Sequence, residues 1–116
     1  MIRTELSLRL PNNAGALAGV VRLLHDEHVH VLALSLGDGG QLRLVLDNHI
    51  HGAGVLRERR HTVVEREVLV VESVAAPGAL QLIASAGINL DYTYSGTATL
   101  VLGVGDALRA SAVTGL

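Results

Sequence analysis

Two glycine-centred stretches, NNAGAL at residues 12–17 and APGAL at 76–80, hold the residue types best suited to gripping a small charged molecule. A glycine such as Gly15 or Gly78 lets the main chain approach a ligand closely, and the amides that open a helix offer unpaired donors to a carboxylate. Asn12 carries both a donor and an acceptor, and Asp38, inside GDGG at 37–40, can pair with an ammonium group. The same residues also have plain structural uses. Either glycine can permit a strand-to-helix turn, Asn12 can bond the loop's own backbone, and an aspartate before two glycines is a turn former.

The six histidines offer a rival chemistry. His25, His28 and His30 lie close together, His49 and His51 form a second group, and His61 follows; imidazole suits nickel, copper or zinc. The spacing is poor for one site, because His25 and His28 fall near a helix end while His30 belongs to the next strand. No bound metal or cofactor is expected. The absence of cysteine removes disulfides, thiolate metal sites and a thiol nucleophile together. Catalysis finds no support either: there is no Gly-x-Ser-x-Gly elbow, no phosphate-cradling Gly-x-x-x-x-Gly-Lys and no lysine for a Schiff base. Asp26 and Glu27 sit on the polar side of a helix, Arg43 on the polar face of a strand. Tyr92 and Tyr94, the only aromatic residues, share one strand face and suit a sheet surface or a partner interface.

The whole chain has 116 residues, 49% hydrophobic, 17% charged and 2% aromatic, with a formal net charge of −2. A core must therefore be built from Val, Leu, Ile and Ala. The basic residues are all arginine, scattered except for RERR at 57–60, which is no footprint for nucleic acid. MIRTELSLRLPNN alternates polar and apolar residues rather than forming a secretory core, and no run approaches the roughly 18 apolar residues needed to cross a bilayer. No membrane association and a cytoplasmic location are the expectations.

Elements that could position these groups follow from periodicity. Ile2, Leu6, Leu8 and Leu10 alternate with Arg3, Glu5, Ser7 and Arg9, which predicts a half-buried strand. Leu17, Val20, Val21 and Leu24 recur at helical spacing, predicting a helix that ends near His28. VHVLALSL at 29–36 and QLRLVLD at 41–47 read as a hairpin around GDGG. A short helix through GAGVLRER follows, with Gly52 and Gly54 each costing about 1 kcal/mol. Residues 61–74 predict two short strands joined near 65–67. A helix to about Ala86, strands near 88–94 and 98–104, and a last helix from Asp106 complete the chain.

The pattern thus begins twice. Aligning Gly15 with Gly78 leaves a difference: Val31 lies 16 residues after the first glycine and Leu90 only 12 after the second. Four residues is close to one helical turn, so the second copy is expected to have a helix one turn shorter. A unit of about 60 residues buries little surface alone, so two such units are expected to share one core.

A strand, then NNAGAL, then a helix closed by HVHV, with APGAL and GINL in the second copy, resembles the ACT domain, a βαββαβ amino-acid-sensing module. The pairing resembles small stand-alone proteins made of two ACT domains. Ala14 stands where the family has proline, and His28 and His30 where it has glycine and asparagine. The resemblance implies an α+β fold of two tandem ferredoxin-like units, residues 1–66 and 67–116, the second lacking its last strand. It implies an antiparallel sheet of seven or eight strands with helices on one face. It also implies ligand contacts at Asn12, Ala14, Gly15, Ala16 and Leu17 and, in the second copy, Pro77, Gly78, Ala79 and Leu80. The implied role is non-catalytic binding of a free amino acid or related metabolite, reported to a partner enzyme. Open sheet edges and the absent strand imply a homodimer. A histidine-based nickel or zinc sensor and a ligand-free dimerisation module are the alternatives.

Overall fold

The computed structural model describes residues 1–116 and divides by its contacts into two compact units, one of residues 5–66 and one of residues 1–4 with 67–116. The fold is α+β, with four helices and six strands whose pairings are antiparallel. The order strand, helix, strand, strand, helix occurs twice along the chain.

In the first unit β1 (Ile2–Arg9), which enters it at Glu5, leads to α1 (Ala16–Asp26), β2 (Val31–Leu36), β3 (Gln41–Leu46) and α2 (His49–Glu58). The strands lie in the order β2-β3-β1, with Leu6 opposite Leu44 and Leu8 opposite Leu42. Because side chains alternate across a strand, these four leucines share one face, where Val20 and Leu24 of α1 and Ala53 and Leu56 of α2 cover them. Both helices therefore sit on that side. Glu5, on the opposite face of β1, is 2% exposed, and no buried side-chain nitrogen or oxygen lacks a hydrogen-bond partner. Desolvation of Glu5 is thus compensated rather than left as a cost.

In the second unit β4 (Val64–Glu72), α3 (Ala76–Ser85), β5 (Leu90–Ser95), β6 (Thr99–Val104) and α4 (Ala107–Thr114) repeat the plan, with strand order β5-β6-β4. Leu69, Val71, Leu102 and Val104 meet Ala79 and Ile83 of α3 and Ala107 and Ala110 of α4. β6 covers one edge of β4, and residues 1–4 take the other: the Met1 amine donates to the Val70 carbonyl at 2.9 Å and the Val70 N–H donates back to the Met1 carbonyl at 2.8 Å. One residue pair exchanging both bonds is the signature of antiparallel pairing. Burial, then the Arg3 charge, holds the Met1 amine pKa below its ordinary value.

The helix ends match between the units. Asn48 caps α2 by accepting the His51 N–H at 3.1 Å, and Asp106 caps α4 by accepting the Arg109 N–H at 3.0 Å. His28, Arg60 and Gly87 follow the C-caps of α1, α2 and α3 with φ of 58°, 68° and 70°. In each case the next N–H reaches back to the third-last helical carbonyl, closing a Schellman turn.

Three expectations need correction. Residues 61–74 hold one strand, β4 (Val64–Glu72), because Val68, Leu69 and Val71 need a continuous backbone to stay in the core, and the total is six strands rather than seven or eight. The helix in the second unit is not a turn shorter: α3 has 10 residues against 11 in α1. Three of the four missing residues come out of the connection before it, which is Leu10–Gly15 in the first unit and only the 3-10 turn Ser73–Ala75 in the second, and one out of the helix. No helix is long and apolar enough to cross a membrane.

Candidate functional site

The long β1–α1 connection and the β2–β3 hairpin border an open cavity of about 480 Å³ in the first unit. Leu10, Pro11, Asn12 and Asn13 form one wall, Ala16 and Leu17 of α1 the floor, and Leu36 with Gly37, Asp38, Gly39 and Gly40 the other wall. Four of the sequence-selected residues, Asn12, Ala16, Leu17 and Asp38, therefore face one space.

Local chemistry fixes each wall. Pro11 stops β1, and the Asn13 N–H donates to the Pro11 carbonyl at 2.9 Å, which folds the connection back on itself. Asn13 then accepts the Gly15 N–H on its Oδ1 at 3.2 Å and the Ala16 N–H on its carbonyl at 3.3 Å. Gly15 is the N-cap of α1 and brings no side chain, so with the Ala16 N–H taken by Asn13 it is the next amides of the first turn, those of Leu17 and Ala18, that no cap side chain engages. The hairpin wall is tied down from β1: the Leu10 N–H donates to the Gly40 carbonyl at 2.8 Å, and the Arg9 guanidinium to the Gly39 carbonyl at 2.7 Å. Gly39 and Gly40 hold φ of 70° and 77°, which explains two glycines in a row. A Cβ on Gly40 would stand 2.2 Å from the Leu10 carbonyl oxygen.

Charge is distributed so that the α1 amides offer partial positive charge and Asp38 negative charge across the cavity, the polarity a zwitterion complements. Leu10, Leu17 and Leu36 supply an apolar lining between them.

The remaining selected residues lie elsewhere. Ala14 and Gly15 form the exposed turn just before α1, outside the lining, and Gly15 has φ of −91°, a conformation open to any residue. Pro77, Gly78, Ala79 and Leu80 are not a loop at all. They lie within the first turns of α3, where Pro77 suits the start of a helix, Ala79 is buried and Leu80 packs on the core. Gly78 falls nine residues before the left-handed Gly87, as Gly19 falls nine before the left-handed His28. The structural counterpart of Gly78 is therefore Gly19 inside α1, not Gly15. The cavity residues that sequence reasoning passed over are Leu10, Pro11, Asn13, Leu36 and the hairpin glycines; the paired glycines of GDGG were the available signal.

The histidines do not converge. His25 lies in the last turn of α1, the His30 N–H donates to Asp47 Oδ1 at 2.9 Å, and His51 Nε2 lies 4.0 Å from Glu27 Oε1. No three histidine, aspartate or glutamate side chains are grouped so as to hold a metal ion.

No protein-family model matches the chain, and no curated protein sequence matches it. Solved structures do. Protein BT0572 from Bacteroides thetaiotaomicron superposes with a TM-score of 0.85 over 97% of this chain and 86% of its own, at 22% identity. The ligand-free regulatory subunit of aspartate kinase from Thermus thermophilus gives 0.70 over 98% and 91%, at 14% identity. Aspartokinase III from E. coli, solved in complex with lysine and aspartate, gives 0.62 over 97% of this chain but only 29% of its own, at 18% identity. These likenesses show that the chain shares the α+β fold of aspartate kinase regulatory domains.

Proposed function

We propose that this chain is a non-catalytic regulatory protein built of two ACT-like units, which binds a free amino acid or closely related metabolite in the first unit. The observation that carries the reading is the meeting of Asn12, Asp38 and the opening turn of α1 around one cavity of about 480 Å³. The carboxylate would take the α1 amides, the ammonium would take Asp38, and the side chain would lie against Leu10, Leu17 and Leu36. The second unit, whose short connection builds no comparable wall, would serve assembly.

Support also comes from the fold neighbours: one is a regulatory subunit, and another was solved with lysine and aspartate bound. Signal output to a partner enzyme and a cytoplasmic homodimer belong to the same proposal. Leu34 and Leu36 on β2, a strand at the end of the sheet order, are 36% and 50% exposed, as an edge awaiting a second copy would be. The metal-sensor alternative has no grouped ligands on which to rest.

A thermal-shift panel of the twenty amino acids at millimolar concentration tests the proposal. At least one should raise the melting temperature, and Asp38→Ala should remove that shift while leaving the unliganded melting temperature nearly unchanged. A flat response to all twenty would overturn it.

A further inference from the structure

A second cleft, of about 400 Å³, opens in the first unit where the end of β1 and the start of β3 meet the turn after α2. Its polar lining is Ser7, Arg9, Gln41, Arg60, His61 and Thr62, with no carboxylate among the residues around it. The nearby acidic groups are engaged or turned elsewhere. Glu65 pairs with Arg57 at 3.1 Å, and Glu58 lines a different groove beside α2. Arg9, which also donates to the Gly39 carbonyl, Arg60 and the His61 imidazole thus line one space with hydroxyl and amide groups and no carboxylate in the lining, an environment that stabilises negative charge.

Arg60 gives a second reason to read the cleft as built. It occupies the left-handed position that closes α2, with φ of 68°, held by its N–H to the Arg57 carbonyl at 2.9 Å and the His61 N–H to the Leu56 carbonyl at 3.1 Å. Glycine fills the equivalent position after α3. A side chain there costs about 1 to 2 kcal/mol of backbone strain, and here it delivers a guanidinium to the cleft.

We propose that this cleft is an anion site, taking the phosphoryl group of a small metabolite or free phosphate. A doubly charged oxyanion fits better than a single carboxylate because two permanent cations face the same space and the six polar groups can serve several oxygens at once. Arg9 also donates to the Gly39 carbonyl at 2.7 Å, so the cleft shares one side chain with the wall of the amino-acid cavity. The anion site does not depend on that cavity being occupied.

The test is a titration of the isotope-labelled protein with inorganic phosphate at fixed ionic strength, read by amide chemical shifts, beside sodium acetate and a phosphomonoester such as glycerol phosphate. The expected result is saturable shifts at the amides of Arg9, Arg60, His61 and Thr62 with phosphate, and much weaker ones with acetate. Tighter binding of the ester than of phosphate would identify a phosphorylated metabolite, and the reverse order free phosphate; either supports the site. Arg60→Gly, which suits the left-handed backbone and so keeps the fold, should weaken binding about tenfold or more. Arg59→Ala, next to the cleft but outside its lining, should not. No saturable shift at those four amides, an equal response to acetate, or unchanged binding by Arg60→Gly would overturn the proposal.

Discussion

Replacing Gly40 by alanine should break the hairpin wall of the cavity, and the cost can be separated into parts. Left-handed φ at a residue with a Cβ costs about 1 to 2 kcal/mol. The same penalty applies at Gly39, whose φ of 70° is close to the 77° of Gly40. The two positions differ in what the new methyl meets. At Gly39 it would lie 2.8 Å from Arg9 Nη1, the far end of a flexible side chain that can swing aside. At Gly40 it would lie 2.2 Å from the Leu10 carbonyl oxygen and 3.2 Å from its carbon, backbone atoms that move only with β1. Relieving that clash lengthens the 2.8 Å bond from the Leu10 N–H to Gly40, worth about 0.5 to 1.5 kcal/mol. Gly40→Ala should therefore cost about 1.5 to 3.5 kcal/mol and Gly39→Ala about 1 to 2, a large share of a typical total of about 5 to 15. Gly15→Ala, with φ of −91° and its nearest neighbour at 3.9 Å, should fall within about 0.5 kcal/mol of the parent. Urea unfolding followed by far-ultraviolet circular dichroism measures all three, and the midpoint should shift without a change in slope. Equal losses at Gly39 and Gly40 would refute the close approach of Leu10 as the cause.

Other substitutions probe the remaining parts of the fold. His28→Gly, which replaces a left-handed histidine with the residue found after α3, should raise stability by about 0.5 to 1 kcal/mol in the same unfolding assay. Gly52→Ala should lower it by about 1 to 3 kcal/mol, since the new methyl would stand 2.4 Å from Leu46 Cδ1 inside the core. Gly103→Ala should push Tyr92 off the strand, because the methyl would meet three ring atoms at 2.4 to 2.7 Å. Tyr92 and Tyr94, with ring centroids 6.2 Å apart, are the only aromatic residues, so a changed near-ultraviolet circular dichroism spectrum reports that displacement directly.

Much of the architecture is legible from side-chain period. The alternation in residues 2–10, the helical spacing of Leu17, Val20 and Leu24, and the GDGG turn each reappear as β1, α1 and the β2–β3 hairpin, because one face of each element must reach a core. What was misread had a consistent cause. Glu65, Arg66 and Glu67 look like a turn by polarity, yet β4 runs through them, since a strand's outward face tolerates charge. Gly15 and Gly78 look equivalent by neighbouring letters, yet backbone position follows the helix ends, and those pair Gly78 with Gly19. For the site, Asn12 and Asp38 carry recognisable polar chemistry, whereas the contribution of Leu10 comes through its main-chain bond to Gly40. A backbone bond between residues thirty positions apart leaves no mark on side-chain type.

The measurement that bears most directly on the account is amide chemical-shift mapping with whichever amino acid stabilises the protein. Saturable shifts are expected in residues 12–18 and 37–40, with residues 76–80 undisturbed. Shifts centred on Pro77 to Leu80 instead, or none within the β1–α1 connection, would contradict binding in the first unit.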